Sequence, residues 1–436
     1  MSNIFKAYDI RGVYGQDLNE ETAYKLGRSF VIFLNKKHPK IVIGRDNRAS
    51  SPVIFKELKK GIMDEGGTVI DIGLSTTPMF YFADCFLKGD GGIMITASHN
   101  PKEYNGFKLV SKLAAPIAEN SGLKEIKDIF EGIKGIGEKK GKVIKKNILN
   151  DYIKFIQKDF NLKDFDLRIG VDTANAVSGI LLEKVFKKSN LKVFHINKEL
   201  DSSFPNHSPD PLLKKNLKQL ITLIKEKKLD LGISFDGDGD RIAFLDEKGK
   251  VVSFDIVLGV IADVLGTKVL CDLRCSKIIE DISGDKTVRS RIGHSFIKEI
   301  MRKEKIYLGG EYTGHFYLND KYCFEAPFFA LFKILEQMKL SSLSFSELVK
   351  PYQKYFHSGE INFEVRDKEK ILKEIEKKYS NGKKNKIDGL RVDYDDFWFL
   401  VRASNTEPVL RLIIEAKTSK LLKEKEKELI KIIYGR

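Results

Sequence analysis

Lys40-Ile41-Val42-Ile43-Gly44-Arg45-Asp46 is an apolar run of β-forming residues closed by an aspartate, and the polar turn Asn47-Arg48-Ala49-Ser50-Ser51 leads from it into a helical stretch. The same order recurs twice. Leu167-Arg168-Ile169-Gly170-Val171-Asp172 runs into Thr173-Ala174-Asn175-Ala176-Val177-Ser178, and Lys268-Val269-Leu270-Cys271-Asp272 into Leu273-Arg274-Cys275-Ser276, each with a helix to follow. A β-run, a short turn and a helix start with serine or threonine available to cap it open an α/β unit. The three aspartates lie about a domain's length apart, so the pattern predicts three related α/β units.

Each unit carries a second strand ending in an unusual loop. Gly91-Gly92-Ile93-Met94-Ile95 leads to Thr96-Ala97-Ser98-His99-Asn100-Pro101, Leu229 to Phe235 leads to Asp236, and Lys305 to Gly310 leads to Glu311-Tyr312-Thr313-Gly314-His315. In an open α/β sheet ligands bind beyond the carboxyl ends of the strands, so three such loops suit one shared site. The tail differs in texture. Glu360 to Arg366, Leu390 to Tyr394, Phe397 to Arg402 and Val409 to Glu415 read as strands, and Asp367 to Tyr379 and Ser419 to Ile433 as helices. Together they predict a smaller α+β domain. Boundaries are expected in the lysine- and glycine-rich stretch from Gly132 to Lys146, near Lys250 and between Tyr352 and Gly359. Within the first of these, Gly135-Ile136-Gly137 only imitates a dinucleotide loop, because no strand leads into it and the third glycine is misplaced.

Hydrophobic residues at 42% and charged residues at 31% describe a soluble globular chain with ample core. Met1 to Lys6 has no apolar core region and the run from Ile256 to Leu265 is short and holds Asp263, so neither a signal peptide nor a membrane span is expected, and the location expected is cytoplasmic. The four cysteines fit a reducing compartment; Cys271 and Cys275 have no matching second pair for zinc, so buried or incidental thiols are expected. The net charge is +15, yet the lysines are scattered and no basic stripe is interleaved with aromatics. That pattern fits small anionic substrates better than nucleic acid.

Ser98, with a histidine and an amide beside it, reads as a nucleophile or phosphate carrier; alone, the stretch reads as well as a capped polar turn. Asp236-Gly237-Asp238-Gly239-Asp240-Arg241 sets three carboxylates at alternate positions, with glycines that let the backbone turn them inward. Carboxylates so close raise one another's pKa unless a cation neutralises them, and this oxygen set suits Mg²⁺; the other reading is an acidic turn without metal. A calcium helix–loop–helix shares the spacing, but Arg241 stands where its sharp turn needs glycine and the flanks read as strands. Arg402-Ala403-Ser404-Asn405-Thr406, with Arg411 on the next strand, offers a fork and short donors for a phosphate, or a plain hairpin turn. Glu311 and Thr313 suit vicinal sugar hydroxyls. Lys108 is a charge holder or proton shuttle, or a surface lysine; His294 is a second proton handler or a helix start.

Taken together and in order, these motifs resemble the α-D-phosphohexomutases, the phosphomannomutase/phosphoglucomutase enzymes. The likeness runs from Lys6-Ala7-Tyr8-Asp9-Ile10-Arg11-Gly12 through the Ser98 loop, Asn105-Gly106-Phe107-Lys108, the aspartate loop and the Glu311 loop to the Arg402 loop. It implies four domains around a central cleft, over residues 1–147, 148–250, 251–353 and 354–436. It implies phosphoserine at Ser98 and Mg²⁺ on Asp236, Asp238 and Asp240 together with the Ser98 phosphate. Glu311 and Thr313, with Gly314 and His315 of the same loop, would hold the sugar, and Arg402, Ser404, Asn405, Thr406 and Arg411 the non-reacting phosphate. Tyr8, Arg11, His99, Asn100, Arg241 and Arg274 would line the cleft, with Lys108 and His294 as acid/base groups.

The reaction implied interconverts hexose 1-phosphate and 6-phosphate of mannose or glucose. It passes through a 1,6-bisphosphate, also the activator, that reorients in the cleft. The partner implied is a phosphorylated hexose, and the protein a monomer or dimer. A phosphoglucosamine mutase, a metal-dependent sugar phosphatase and a nucleic-acid binder are the rival readings. In two places the chain departs from the family pattern. Tyr312 and Thr313 replace methionine and serine, the tyrosine narrowing the choice of sugar, and Glu325-Ala326-Pro327 replaces paired aspartates and glycine.

Overall fold

The computed structural model describes residues 4–403 and 409–435. The three recurring runs form the strands Lys40–Arg45, Arg168–Asp172 and Val269–Asp272, and each takes the same place in its own mixed sheet. Each lies between two parallel neighbours: Thr68–Leu74 and Gly91–Ile95 in the first unit, Lys192–Ile196 and Leu231–Phe235 in the second, Thr287–Ser290 and Leu308–Glu311 in the third. The second neighbour then pairs antiparallel with Tyr104–Ser111, Ile242–Leu245 or His315–Asn319. An outer antiparallel strand completes the order, namely Ile10–Val13, Val251–Val252 or Cys323–Glu325. In the first unit this outer strand comes first in the chain and in the others last. The inner strands are buried on both faces, which is why they read as continuous apolar runs rather than alternating ones.

The turns after the three aspartates close differently from expectation. Ser50 and Ser178 make no capping bond; in the third unit Lys277 stands at the helix start, yet the Ser276 hydroxyl does accept the N–H of Ile278 at 3.1 Å. The feature common to all three turns is the aspartate: Asp46, Asp172 and Asp272 each accept the N–H two residues on, from Arg48 at 3.0 Å, Ala174 at 2.9 Å and Arg274 at 2.7 Å. A short carboxylate reaching its own chain in this way is the Asx turn, and it sets the direction in which the chain leaves the strand. The Gly132 to Lys146 stretch is more than a linker, since Lys142–Lys145 adds a parallel edge strand to the first sheet.

One apolar core runs through the three α/β units, joining Phe80 and Phe82 of the first to Phe235 and Phe244 of the second and Phe316 and Phe328 of the third. Phe244 meets Phe316 edge to face at 6.1 Å across the second and third units. Each such ring contributes roughly 1.5–3 kcal/mol by burial, so the three units hold one another in place. The tail forms an antiparallel sheet around Val409–Ala416, Phe397–Ala403 and Leu390–Asp393 with the helices Lys368–Lys378 and Ser419–Tyr434, and keeps a core of its own. Two short strands escaped the sequence: Lys383–Asn385, a charged edge without alternation, and Phe356–His357. The tail joins the third unit through Trp398, Leu400 and Ile413 packed on Leu273. All four cysteines are buried, and among the described residues no helix is long and apolar enough to cross a membrane.

Candidate active site

Ser98 sits three residues beyond the strand Gly91–Ile95 and is 3% exposed. Its backbone has φ of 49°, a left-handed conformation that costs a residue with a side chain on the order of 1 kcal/mol. The surroundings hold it there. Arg48, itself buried, donates to the carbonyls of Ser98 (2.8 Å), Asn100 (2.7 Å), Pro101 (2.6 Å) and Tyr104 (3.1 Å), while its Nε contacts Asp46 at 3.1 Å. Sequence reading passed over Arg48. The signal was the shared Asp-x-Arg of Asp46-Asn47-Arg48 and Asp272-Leu273-Arg274, for Arg274 pairs with Asp272 in the same way at 2.7 Å. Asn100 accepts from Arg11 at 2.7 Å, and Arg11 also pairs with Asp9 at 2.6 Å.

The Ser98 hydroxyl donates to Asp236 Oδ2 at 2.7 Å and lies 3.2 Å from His99 Nδ1. Burial, then Arg241 and Arg11, push the His99 imidazole well below its ordinary pKa, so it is neutral. Asp236 follows the strand Leu231–Phe235, and its other oxygen accepts the N–H of Asp240 (3.1 Å) and Arg241 (3.2 Å). The two glycines serve the loop differently. Gly239 has φ of +68°, whereas at Gly237 a β-carbon would run into the Ser98 carbonyl, so this glycine lets the two loops touch.

Asp236, Asp238 and Asp240 are fully buried and bring one oxygen each within 4.8 Å of the others. Asp238 accepts from Thr77 Oγ1 at 2.6 Å and meets Lys108 Nζ at 3.0 Å; Lys108 also pairs with Asp240. Lys108 is therefore no surface lysine. Burial would discharge it, but Asp238 and Asp240 raise it well above the usual lysine range. Burial and then the other two aspartates push Asp236 well above the carboxylate range. Asp238 Oδ1 is buried with no hydrogen-bond donor. An orphaned carboxylate oxygen inside an all-oxygen set is what a hard divalent cation would satisfy, so the residues fit Mg²⁺.

The second and third units meet at the Arg241–His315 bridge, where Ile242 N–H also donates to Gly314 O at 3.1 Å. His315 lies 3.2 Å from Asp240 and 3.0 Å from Glu311, and 3.3 Å from Thr313 Oγ1. Burial opposes its charge, but Asp240 and Glu311 raise it to about 9. Glu311 ends its strand, accepting Gly293 N–H at 3.0 Å and Tyr317 hydroxyl at 2.6 Å, with Arg274 at 3.8 Å. Against its burial, His315 and Arg274 hold it well below the carboxylate range. Tyr312 stacks on His357 at 4.9 Å, tying the Glu311 loop to the start of the tail. His294 opens the helix His294–Glu304, as the helix-start reading expects, and its ring faces Tyr8 edge to face at 5.6 Å.

Arg402 and Arg411 sit opposite each other on neighbouring strands of the tail, and Arg411 meets Glu360 at 3.4 Å. Burial, Asp9 and Glu311 raise the Tyr8 hydroxyl while Arg274 and Arg402 lower it, which places Arg402 within charge range of Tyr8. Ser404, Asn405 and Thr406 lie outside the described residues.

Three repeated sheets bring a buried serine onto a carboxylate triad that fits a divalent cation, with Lys108 and Arg241 beside it, and such a donor set is of the kind found in phosphoryl-transfer enzymes. The phosphoglucomutase/phosphomannomutase family matches in all its parts: α/β/α domain I at residues 2–135, domain II at 150–249, domain III at 255–355 and the C-terminal domain at 360–432. A phosphomannomutase of Methanocaldococcus jannaschii is 39% identical, over 99% of this chain and 97% of its own length. A phosphomannomutase/phosphoglucomutase of Pseudomonas syringae is 37% identical, over 95% of this chain and 91% of its own. A crystal structure of a family protein from Burkholderia thailandensis superposes with TM-score 0.90 at 29% identity, covering 100% of this chain and 98% of that one. This chain belongs to the phosphoglucomutase/phosphomannomutase family.

Proposed function

We propose that the protein interconverts the 1- and 6-phosphates of mannose, glucose or both, with Ser98 as the phosphate carrier. The observation that carries this reading is the Ser98 hydroxyl bonded to Asp236 inside the buried aspartate triad, with Lys108 on the other two carboxylates. Asp236, Asp238 and Asp240, with the Ser98 oxygen, would hold Mg²⁺, which when bound stabilises the charge of the transferring phosphoryl group. Arg241 and Lys108 flank that group. Arg11 acts with Asn100 on the other side of the serine loop. Lys108 and His294 serve as proton donor and acceptor for the sugar hydroxyl.

Glu311 and Thr313 receive sugar hydroxyls, and Arg274 is aimed by Asp272 and Glu311 at the cleft they share. The arginines of the tail hold the phosphate that does not react, in a unit whose separate core lets it follow either end of a reorienting bisphosphate. Tethering the second phosphate in this way turns two transfers into successive intramolecular steps.

A coupled assay primed with hexose 1,6-bisphosphate tests the reading on mannose, glucose and glucosamine 1-phosphates. Turnover of the first two is expected, lost on chelation of Mg²⁺ and in Ser98→Ala. Release of inorganic phosphate faster than 6-phosphate forms would make the protein a phosphatase, and preference for glucosamine 1-phosphate would reassign the sugar. A Ser98→Ala protein with a rate above about one-hundredth of the native one would remove the carrier role.

A further inference from the structure

Lys298 and Glu325 form a buried ion pair beside the cleft, at 0% and 1% exposure. Lys298 Nζ lies 2.9 and 3.1 Å from the two Glu325 oxygens and 4.2 Å from the centre of the Tyr81 ring. The ammonium is thus held between a carboxylate and the face of a ring. Such a pair is a weak device for stability, because apolar residues of equal volume often do as well. Its position suggests another use.

His294 stands one helical turn before Lys298, on the same face of the helix His294–Glu304. Its Nδ1 is buried without a hydrogen-bond partner, and the polar atom facing it is Glu325 Oε1, 4.0 Å away. A neutral imidazole carries its proton on one nitrogen, selected by what the other nitrogen meets. A lone pair on Nδ1 would point at a carboxylate oxygen, whereas a proton there points at an acceptor that a small ring rotation brings within reach. Lys298 Nζ is held by the two Glu325 oxygens, and it makes no hydrogen bond to Nδ1.

We propose that Glu325, anchored by Lys298, is a positioning residue that keeps the His294 proton on Nδ1 and leaves Nε2 as the basic nitrogen facing the cleft. The other groups acting on the ring, namely Tyr8, Lys108, Glu311 and His315, approach from the first unit and the sugar loop. The catalytic meaning of this arrangement rests on the mutase reading; the tautomer does not. It also gives the departure at Glu325 a use, as the orienting group of an acid/base histidine.

The test is the tautomer of His294 in long-range ¹H–¹⁵N spectra of the full-length protein, labelled with ¹⁵N-histidine, loaded with Mg²⁺ and assigned through His294→Gln. Protonated Nδ1 and unprotonated Nε2 are expected. In Lys298→Met/Glu325→Leu, which removes both charges together, the N–H is expected to move toward Nε2. With it, kcat should fall about tenfold or more while KM stays within about threefold. Glu325→Asp should keep the native tautomer. A native His294 protonated on Nε2 overturns the proposal, and that measurement stands even if the double variant does not fold. A folded double variant with unchanged tautomer and kcat overturns it too. If the tautomer responds as expected but the native protein does not interconvert hexose phosphates, the positioning survives and the mutase reading fails.

Discussion

At the scale of single residues, Arg48 is as important to the site as the serine it holds. One guanidinium satisfies four carbonyls of the Ser98 loop and faces Asp46, so the left-handed serine is over-determined by its surroundings. Arg48→Met would leave Asp46 without its ion-pair partner and take the guanidinium donors from the loop carbonyls. A loss of about 3–5 kcal/mol in urea unfolding is expected, with a larger fall in phosphoryl transfer to Ser98 than Arg48→Lys causes. Lysine keeps the charge but not the fork. That Ser98 and the three aspartates belong to one candidate site is legible in the sequence, because they stand at strand ends in residue types and a spacing suited to phosphate and metal chemistry, and the structure brings them together. Arg48, Lys298 and Glu325 are not, because nothing in a lone arginine or lysine says that it will be buried, and burial is what turns each into a positioning group.

At the scale of elements, the site depends on how closely strand-end loops approach. Gly237→Ala places a methyl against the Ser98 carbonyl and forces the aspartate loop and the serine loop apart. Far-UV circular dichroism should remain native while transfer falls by roughly a hundredfold, the effect of displacing reacting groups by about 1 Å.

The helix Thr77–Phe86 carries a separate pH sensitivity. Burial lifts Asp84 to about 7, although it accepts Ala114 N–H at 2.9 Å; its other oxygen has no partner. Because the folded pKa lies above the unfolded one, the folded protein binds the extra proton. Its contribution to stability is full below about pH 4 and is lost as pH rises through about 7. Asp84→Asn should therefore be close to neutral at pH 4 and stabilising at pH 8, by up to about 4 kcal/mol, as read from urea midpoints.

At the scale of the molecule, three units share a core while the tail is joined by a narrow seam. Trp398 lies at that seam, its indole N–H donating to Glu415 at 2.6 Å and its ring covered by Arg391 at 3.8 Å. Arg391 in turn donates to Leu273 O of the third unit at 2.6 Å. Trp398→Ala should lower stability by about 3–5 kcal/mol and split thermal unfolding into two steps, the tail melting first. KM for the hexose phosphate should rise more than kcat falls, since Arg402 and Arg411 ride on the same sheet.

The sequence alone determined the three-fold repeat, the smaller tail, the family likeness and the residue types of the site. Those come from local patterns of hydrophobicity and chemistry carried by contiguous stretches. Only the tertiary structure decided that Lys108 sits on the triad. It likewise decided that Arg48 holds the serine loop and that Glu325 looks at His294. Nearly all of these are contacts between chain segments far apart in sequence, made strong by burial that no single stretch of sequence encodes.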